Sequence, residues 1–262
     1  MPELPEVETI VTGLRDSILR KKIKKVTVTC PVIVKPKKGL SFLVGDSFID
    51  IDRHGKYIKL TTKKGARIVV HLRMTGQLFL AKNYKPDKHV HIIIEFSGGE
   101  NLYYRDIRKF GRWQIVQPRK NFADYINAGA DALSIKQEAF SKLVKKHGSK
   151  ALKVFLLDQT IIAGVGNIYA DETAYYLKVD PHTPVKKIDP QKLLSAVTAV
   201  LKLGIKNKGT SVSDYITSTG ARGNFQNLLN VYKQKNCRKC GAVIKRVKLA
   251  GRTTHICPRC QK

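Results

Sequence analysis

The first six residues offer amine chemistry. Met1 precedes Pro2, so we expect removal of Met1 to leave Pro2 with a free secondary amine. Such an amine has a pKa of about 7.7–8.0, against about 10.4 for lysine, and it can form an iminium with an aldehyde carbon. Glu3 and Glu6 supply nearby carboxylates for proton transfer. On local pattern alone, an ordinary helix N-terminus, where Pro and Glu are favoured, is the stronger interpretation.

The four C-terminal cysteines have the spacing of a metal site. They read C-x2-C, sixteen residues, C-x2-C, and they are Cys237, Cys240, Cys257 and Cys260. Each pair can sit on a tight turn that offers two thiolates about 2.3 Å from one tetrahedral zinc. Disulfides or free thiols are the alternative, but an intracellular chain disfavours disulfides. The spacing therefore predicts one structural Zn²⁺, and Cys30 has no assigned role.

Two segments place apolar and cationic side chains at strand ends. His71–Gln77 ends a strand in a glycine turn with Met74 near its tip, and Tyr104–Gly111 carries Arg108 and Phe110. Proteins that flip bases push such side chains into the base stack to replace what they remove. The pattern alone favours a plainer interpretation: core packing for Met74 and Phe110, and a solvated strand end for Arg108.

The elements that must position these residues change type along the chain. Residues 3–20 read as a helix, because apolar residues recur every three or four positions. From 23 to 117 the period falls to two, which predicts the strands Val26–Thr29, Phe48–Asp52, Tyr57–Thr61, Ile68–Leu72, His91–Phe96 and Trp113–Val116. From about residue 121 the spacing predicts the helices Gln137–His147, Lys150–Asp158, Asn167–Tyr176 and Gln191–Lys206. The first part therefore reads as a sandwich or barrel.

Charge narrows the class of partner. The 262 residues are 42% hydrophobic and 26% charged, and 49 Lys and Arg against 20 Asp and Glu give a net charge of +29. Nucleic acid is the commonest partner for such a charge, and an anionic membrane surface is the weaker alternative. No run approaches the roughly 20 apolar residues of a membrane span, and the acidic, Pro-containing start is unlike a secretory leader. We expect a soluble cytoplasmic protein without a targeting signal.

Five segments, in order and spanning nearly the whole chain, resemble the formamidopyrimidine-DNA glycosylase family. They are Met1–Thr9, His71–Gly76, Asp106–Gly111, Leu157–Glu172 and Gly251–Cys260. The resemblance implies an α+β multidomain fold with an N-terminal β-sandwich and N-terminal helix, a helical domain with a helix–two-turns–helix motif, and a zinc ribbon. We place these domains at residues 1–120, 121–232 and 233–262.

The resemblance also implies an activity. Members are bifunctional DNA glycosylases and AP lyases of base excision repair, which remove 8-oxoguanine and formamidopyrimidines. The implied partner is double-stranded DNA that contains oxidised purines or abasic sites, and we expect a monomer without membrane association. Pro2 matches the nucleophile, which attacks C1′ and holds the sugar as a Schiff base before β- and δ-elimination. Glu3 matches the general acid/base, and Glu6 matches a helix carboxylate near the amine.

The remaining matches contact DNA. Lys56 matches a strand lysine on the lesion's phosphate, Arg252 matches a zinc-finger arginine on the flanking phosphates, and both are implied proton donors for the eliminations. The DNA-binding matches also include His71, Asn167 and the void-filling residues Met74, Arg108 and Phe110, of which Arg108 pairs with the orphaned cytosine. Segment 216–226 falls where the family has its mobile lesion-recognition loop. The loop residues concerned are Thr217, Ser218, Thr219, Gly220, Ala221, Arg222 and Gly223.

Two rival functions stay open at this point. A zinc ribbon that binds nucleic acid without catalysis explains the charge and the cysteines, but it needs no free N-terminus. A sister family that removes oxidised pyrimidines is also similar, although Leu4 and the glycine-rich loop favour the purine enzyme. Departures from the family pattern at Gln77, Gly220–Gly223 and His255 leave the fine lesion preference open.

Overall fold

A computed structural model describes residues 1–37, 39–117 and 119–262. These residues form two compact units. Unit 1 contains Met1–Asn127 and Asn207–Asn224, and unit 2 contains Ala128–Lys206 and Phe225–Lys262. Segment 207–224 thus lies in unit 1, whereas the sequence grouped residues 216–226 with the helical domain. Long-range hydrogen bonds hold this segment, and such bonds leave no periodic pattern in the sequence.

Unit 1 is built from one helix and two sheets. Its elements are α1 (Leu4–Ile18), β1 (Ile23–Val28), β2 (Val34–Lys35), β3 (Phe48–His54), β4 (Tyr57–Thr62), β5 (Arg67–His71), β6 (Gly76–Ala81), β7 (Val90–Phe96), β8 (Asn101–Asp106) and β9 (Arg112–Ile115). One sheet has the order β1-β7-β8-β6, and the other has the order β2-β9-β5-β4-β3. Every pair is antiparallel except β2 with β9. The N-terminal β-sandwich with its helix is confirmed.

A single apolar core joins α1 to both sheets. Ile10 of α1, Leu60 of β4 and Ile94 of β7 belong to one buried cluster, and each is at most 1% exposed. The helix forms because its apolar residues recur at three- and four-residue steps and because Pro5 suits a first turn, where no intrahelical N–H is needed. Burial of this stripe fixes the direction in which the chain start points.

The sequence missed strands β6 and β8. Gly76–Ala81 and Asn101–Asp106 pair with each other in antiparallel register, with Leu78 opposite Tyr104. Both have buried residues at consecutive positions, so a period of two is not visible. Their pairing brings the two segments with possible base-stack side chains to the same end of one antiparallel strand pair.

Unit 2 is helical and ends in a β-hairpin. Its elements are β10 (Ala130–Asp131), α2 (Gln137–Lys146), α3 (Leu152–Leu157), β11 (Ile162–Ala163), α4 (Asn167–Leu177), α5 (Pro190–Lys206), β12 (Lys245–Leu249) and β13 (Arg252–Ile256). Gly204 lets α5 approach α4, because a Cβ there would lie 2.6 Å from the Tyr169 ring. That ring stacks on Phe225 with centroids 5.3 Å apart. Within the described ranges, no helix is both long and apolar enough to cross a membrane.

Candidate functional site

The start of α1 holds two buried carboxylates beside Pro2. Pro2 is buried, and Glu3 and Glu6 are 3% and 1% exposed. The two acids form a capping box, in which the Glu3 N–H donates to Glu6 Oε2 at 2.8 Å. Glu6 Oε1 accepts a second bond from the Thr210 N–H at 2.7 Å. Glu6 therefore fixes the chain start to segment 207–224 through backbone donors on both sides.

Lys56 immediately precedes β4, and His71 is the last residue of the neighbouring strand β5. Lys56 is 5% exposed and lies in the β3–β4 turn, and its neighbour Tyr57 pairs with His71 across β4 and β5. His71 Nδ1 accepts the Arg73 N–H at 3.0 Å. Burial, together with the positive charges of Arg73 and Lys56, lowers the pKa of His71 from 6.5 to about 3. His71 is thus neutral at physiological pH and carries its proton on Nε2, as a donor.

The three base-stack candidates form one exposed cluster. Arg108 lies over the Phe110 ring with its guanidinium carbon 4.5 Å from the centroid, and its Nη1 is 3.1 Å from the sulfur of Met74. Met74 and Phe110 are 43% and 46% exposed, so neither is a core residue. The β5–β6 and β8–β9 loops carry them, and Arg73 and Lys109 adopt positive φ angles of 54° and 56° there. The structure brings these side chains together at one tip.

Sequence reasoning missed the residue that holds this tip. Asp106 is 0% exposed, and its Oδ1 accepts bonds from the Thr75 hydroxyl and the Arg108 N–H. Its Oδ2 accepts the Gly111 N–H at 2.8 Å and the Tyr104 hydroxyl at 3.2 Å. Burial and the Asp106 carboxylate raise the pKa of Tyr104, so that hydroxyl stays protonated. An acid within a strand-end motif was the available signal, but it does not reveal that three donors come from two loops and a fourth from β8.

The lesion-loop candidates have a fixed base and an exposed tip. The Ser218 carbonyl accepts the N–H of Leu80 from the edge strand β6 at 2.8 Å, and Thr217 N–H donates to the Ala221 carbonyl at 2.8 Å. Gly13 of α1 leaves room for this base, because a Cβ there would lie 2.1 Å from Ser218 Oγ. Thr217, Ser218 and Gly223 are buried, whereas the tip residues Thr219, Gly220, Ala221 and Arg222 are exposed.

In unit 2, a buried ion pair between α3 and α4 also binds strand β13 through hydrogen bonds. Lys153 Nζ lies 2.6 Å from Asp171 Oδ1, both side chains are 0% exposed, and Lys153 also donates to the Thr253 carbonyl at 2.9 Å. Asp171 Oδ2 accepts bonds from the His255 backbone N–H and Nδ1. Asn167 Nδ2 donates to the same Thr253 carbonyl at 3.0 Å. Strand β13, which begins at Arg252, is therefore held against the start of α4.

A cationic groove opens at this end of α4. Its volume is about 560 Å³, and Asn167, Lys233, Arg246 and Arg252 are among its lining residues. Asn167 is the first residue of α4, and its Oδ1 is buried without a hydrogen-bond partner among the described residues. A helix N-terminus with adjacent cations suits a phosphate, because the backbone N–H groups and the helix dipole point towards it. The predicted phosphate contacts Asn167 and Arg252 thus share one groove.

The four predicted metal ligands converge. The sulfurs of Cys237, Cys240, Cys257 and Cys260 all lie within 4.8 Å of one another. The Cys237–Cys260 and Cys240–Cys257 pairs are 3.9 Å and 3.4 Å apart, close to the edge of about 3.8 Å that a tetrahedron with 2.3 Å Zn–S bonds has. The donor set fits one tetrahedral zinc.

Family models match most of the chain. The formamidopyrimidine-DNA glycosylase N-terminal domain matches residues 1–113, and the H2TH domain of the same family matches residues 129–215. A zinc finger found in FPG and IleRS matches residues 235–262. With the converging thiols, this match assigns one structural zinc to the ribbon.

Full-length relatives give the same result. The chain is 38% identical to the formamidopyrimidine-DNA glycosylase of Desulfitobacterium hafniense (strain DSM 10664 / DCB-2), and the match covers 100% of both proteins. It is 36% identical to that of Latilactobacillus sakei subsp. sakei (strain 23K), and the match covers 100% of the chain and 98% of the relative. Two Lactococcus lactis Fpg structures are each 34% identical with a TM-score of 0.88. One is a mutant bound to Fapy-dG-containing DNA, with 100% of both chains covered, and the other is bound to abasic-site DNA, with 99% of both covered. The chain belongs to the formamidopyrimidine-DNA glycosylase family.

Proposed function

We propose that this protein is a bifunctional DNA glycosylase and AP lyase of base excision repair that removes oxidised purines from double-stranded DNA. Full-length membership of the family supports the reaction. Lactococcus lactis Fpg, bound to Fapy-dG and abasic-site DNA, supports the substrate class. The observation that carries the proposal is the chain start, where Pro2 directly precedes two buried carboxylates held by backbone N–H groups.

The proposed chemistry begins at the Pro2 nitrogen. Removal of Met1 leaves a secondary amine whose lone pair attacks C1′ of the damaged nucleoside, and the glycosidic bond breaks with its electron pair on the leaving base. The nitrogen then loses its proton and the C1′–O4′ bond breaks, with its electron pair on O4′, which takes up a proton, so the sugar opens and an iminium forms. The iminium withdraws electrons, so proton loss at C2′ breaks the C3′–O bond in β-elimination. A second proton loss, at C4′, breaks the C5′–O bond in δ-elimination, and the strand is cut on both sides. Glu3 serves as the general acid/base, and Lys56 and Arg252 are the proposed proton donors to the eliminations.

The proposed DNA contacts divide into positioning and lesion selection. Phosphates bind the groove that Asn167 and Arg252 line, and the net charge of +29 adds affinity for any duplex. The exposed cluster of Met74, Arg108 and Phe110 fills the space that the flipped purine leaves, which recovers part of the unstacking energy. The exposed tip of the lesion loop contacts the flipped base, and His71, as a neutral donor, contacts the DNA.

We also propose a location, an oligomeric state and a domain division that the sequence suggested. These are a cytoplasmic location, a monomeric state, and domains at 1–120, 121–232 and 233–262, with segment 207–224 assigned to the first domain instead of the second. Four thiols grouped as zinc ligands, with Cys30 also a free thiol, support a reducing compartment.

Borohydride trapping tests the function. Incubation with a duplex that contains 8-oxoguanine opposite cytosine, in the presence of borohydride, should give a covalent protein–DNA adduct, because hydride reduces the iminium to a stable amine. The same chain with an uncleaved N-terminal extension is the matched control and should give no adduct. If the tagged chain forms the adduct at an equal rate, Pro2 is not the nucleophile. If neither forms it while both bind DNA, the chain is a binding protein.

A further inference from the structure

A second groove lies in unit 2, at the far end of α4. Its volume is about 640 Å³, and it lies between α4, α5 and the turns of the zinc ribbon. Asn167 begins α4 and lines the phosphate groove, whereas Tyr176, nine residues later, lines this one. At about 1.5 Å per residue the two positions are about 14 Å apart along the helix axis. We call this second site the distal groove.

The distal groove has an incompletely covered apolar floor. Its apolar and aromatic side chains include Tyr176, Val200, Leu203 and Phe225. Val200 and Phe225 are 5% and 2% exposed, but Tyr176 and Leu203 are 60% and 44% exposed. Large apolar side chains grouped in a concave surface, rather than scattered singly, are typical of a binding site.

The rim of the distal groove is cationic. The exposed cations that line it are Lys178, Lys239, Arg259 and Lys262. Among the described residues none of the four forms an ion pair, and Glu172 is the only acid in the lining. Glu172 is 2% exposed, and its oxygens accept N–H groups from Asn230, Val231 and Tyr232. Its charge is therefore already engaged by the protein.

From this combination we propose that the distal groove docks a short acidic, amphipathic peptide segment of a partner protein. Leucine or aromatic side chains of the segment cover Tyr176 and Leu203, and its carboxylates meet the four rim cations. Duplex DNA matches the rim but not the floor, because it presents phosphates and base edges rather than apolar side chains. Since the distal groove and the phosphate groove lie at opposite ends of α4, a partner and DNA can bind together.

Fluorescence anisotropy tests the proposal with the full-length, zinc-loaded protein. The probe is a labelled peptide of alternating acidic and Leu or Trp residues. One comparison peptide has every Leu and Trp replaced by Ser, and another has every acid replaced by Lys. We expect a dissociation constant on the order of 10 μM for the probe and binding at least about tenfold weaker for both comparison peptides.

Matched variants locate the binding. Leu203→Asp and Lys178→Glu should each weaken probe binding by about tenfold or more. Val243→Asp and Lys202→Glu make the same chemical changes at exposed positions outside the lining, and they should leave binding unchanged. Zinc content and thermal unfolding establish that each variant is folded, and 8-oxoguanine excision is measured separately, so the test is independent of the proposed function.

Three results would overturn the proposal. The probe could fail to bind the wild-type protein more tightly than the Ser-substituted peptide. The control variants could weaken probe binding as much as Leu203→Asp and Lys178→Glu do. Undamaged duplex could displace the probe, and Leu203→Asp and Lys178→Glu could lower DNA affinity more than the control variants do. Together these two observations would make the distal groove a nucleic-acid surface.

Discussion

Asp106→Asn tests whether one buried carboxylate holds the tip that carries Met74, Arg108 and Phe110. Each oxygen of Asp106 accepts two hydrogen bonds, one from a hydroxyl and one from a backbone N–H. An asparagine keeps one oxygen and turns its NH₂ towards the other pair of donors. A hydroxyl can rotate and accept instead, but the backbone N–H of Arg108 or Gly111 cannot.

The expected cost follows from that count. At least one backbone N–H remains unsatisfied at a site that is 0% exposed, which costs about 1–3 kcal/mol. The surviving bonds also lose their charge assistance. We therefore expect Asp106→Asn to lower the free energy of unfolding of unit 1 by about 2–4 kcal/mol. Because the Arg108 backbone is released, excision of 8-oxoguanine should fall as well.

The control residue Asp87 and the fluorescent residue Trp113 both lie in unit 1. Asp87 forms an ion pair with Arg105 at 2.8 Å, and its side chain is 41% exposed, so Asp87→Asn should cost at most about 1 kcal/mol. Trp113 is the only tryptophan and is 0% exposed, so its fluorescence in a urea titration follows the unfolding of unit 1. Equal midpoints for Asp106→Asn and Asp87→Asn would refute the assignment of Asp106 as the residue that holds the tip.

Three further predictions test the site. Glu3→Gln should keep lesion binding while single-turnover excision falls by roughly 10²–10⁴, the usual effect of losing a proton-transfer group; weaker binding at an unchanged rate would contradict this. Arg108→Ala should reduce the preference for 8-oxoguanine opposite cytosine, measured by excision against all four opposite bases, and an unaltered ranking would place that arginine elsewhere. Zinc chelation or Cys257→Ser should unfold the ribbon and lower affinity for damaged and undamaged duplex alike, since metal binding supplies folding energy; full affinity without zinc would contradict it.

Patterns of local origin were predictable from the sequence. The apolar repeat predicted a helix over residues 3–20, and α1 runs over Leu4–Ile18, within two residues of the predicted range at each end. The C-x2-C pairs specify their own tight turns, and the structure brings all four sulfurs together. Such features depend on residues close in sequence, so the chain itself displays them.

Contacts between distant residues were not predictable in this way. The Glu6 carboxylate and the Thr210 N–H are 204 positions apart, and Ser218 meets strand β6 through a carbonyl, which every residue has. Gly13 gave no signal either, because a glycine within a helix does not show which side chain approaches it. The packing of the base of the candidate lesion loop therefore had no recognisable pattern in the sequence.

The buried acids of both units share one role. The chain has only 20 acidic residues, and several of them are buried, where they accept hydrogen bonds from backbone N–H groups. Glu6 accepts the N–H groups of Glu3 and Thr210, and Asp106 accepts those of Arg108 and Gly111. Asp171 accepts the N–H of His255, and Glu172 accepts those of Asn230, Val231 and Tyr232. A buried carboxylate can hold several such donors at once, because each oxygen has two lone pairs and full charge. Within each unit these acids thus fix the segments that carry candidate site residues, and because the acids are buried, their charges do not offset the cations of the exposed surface.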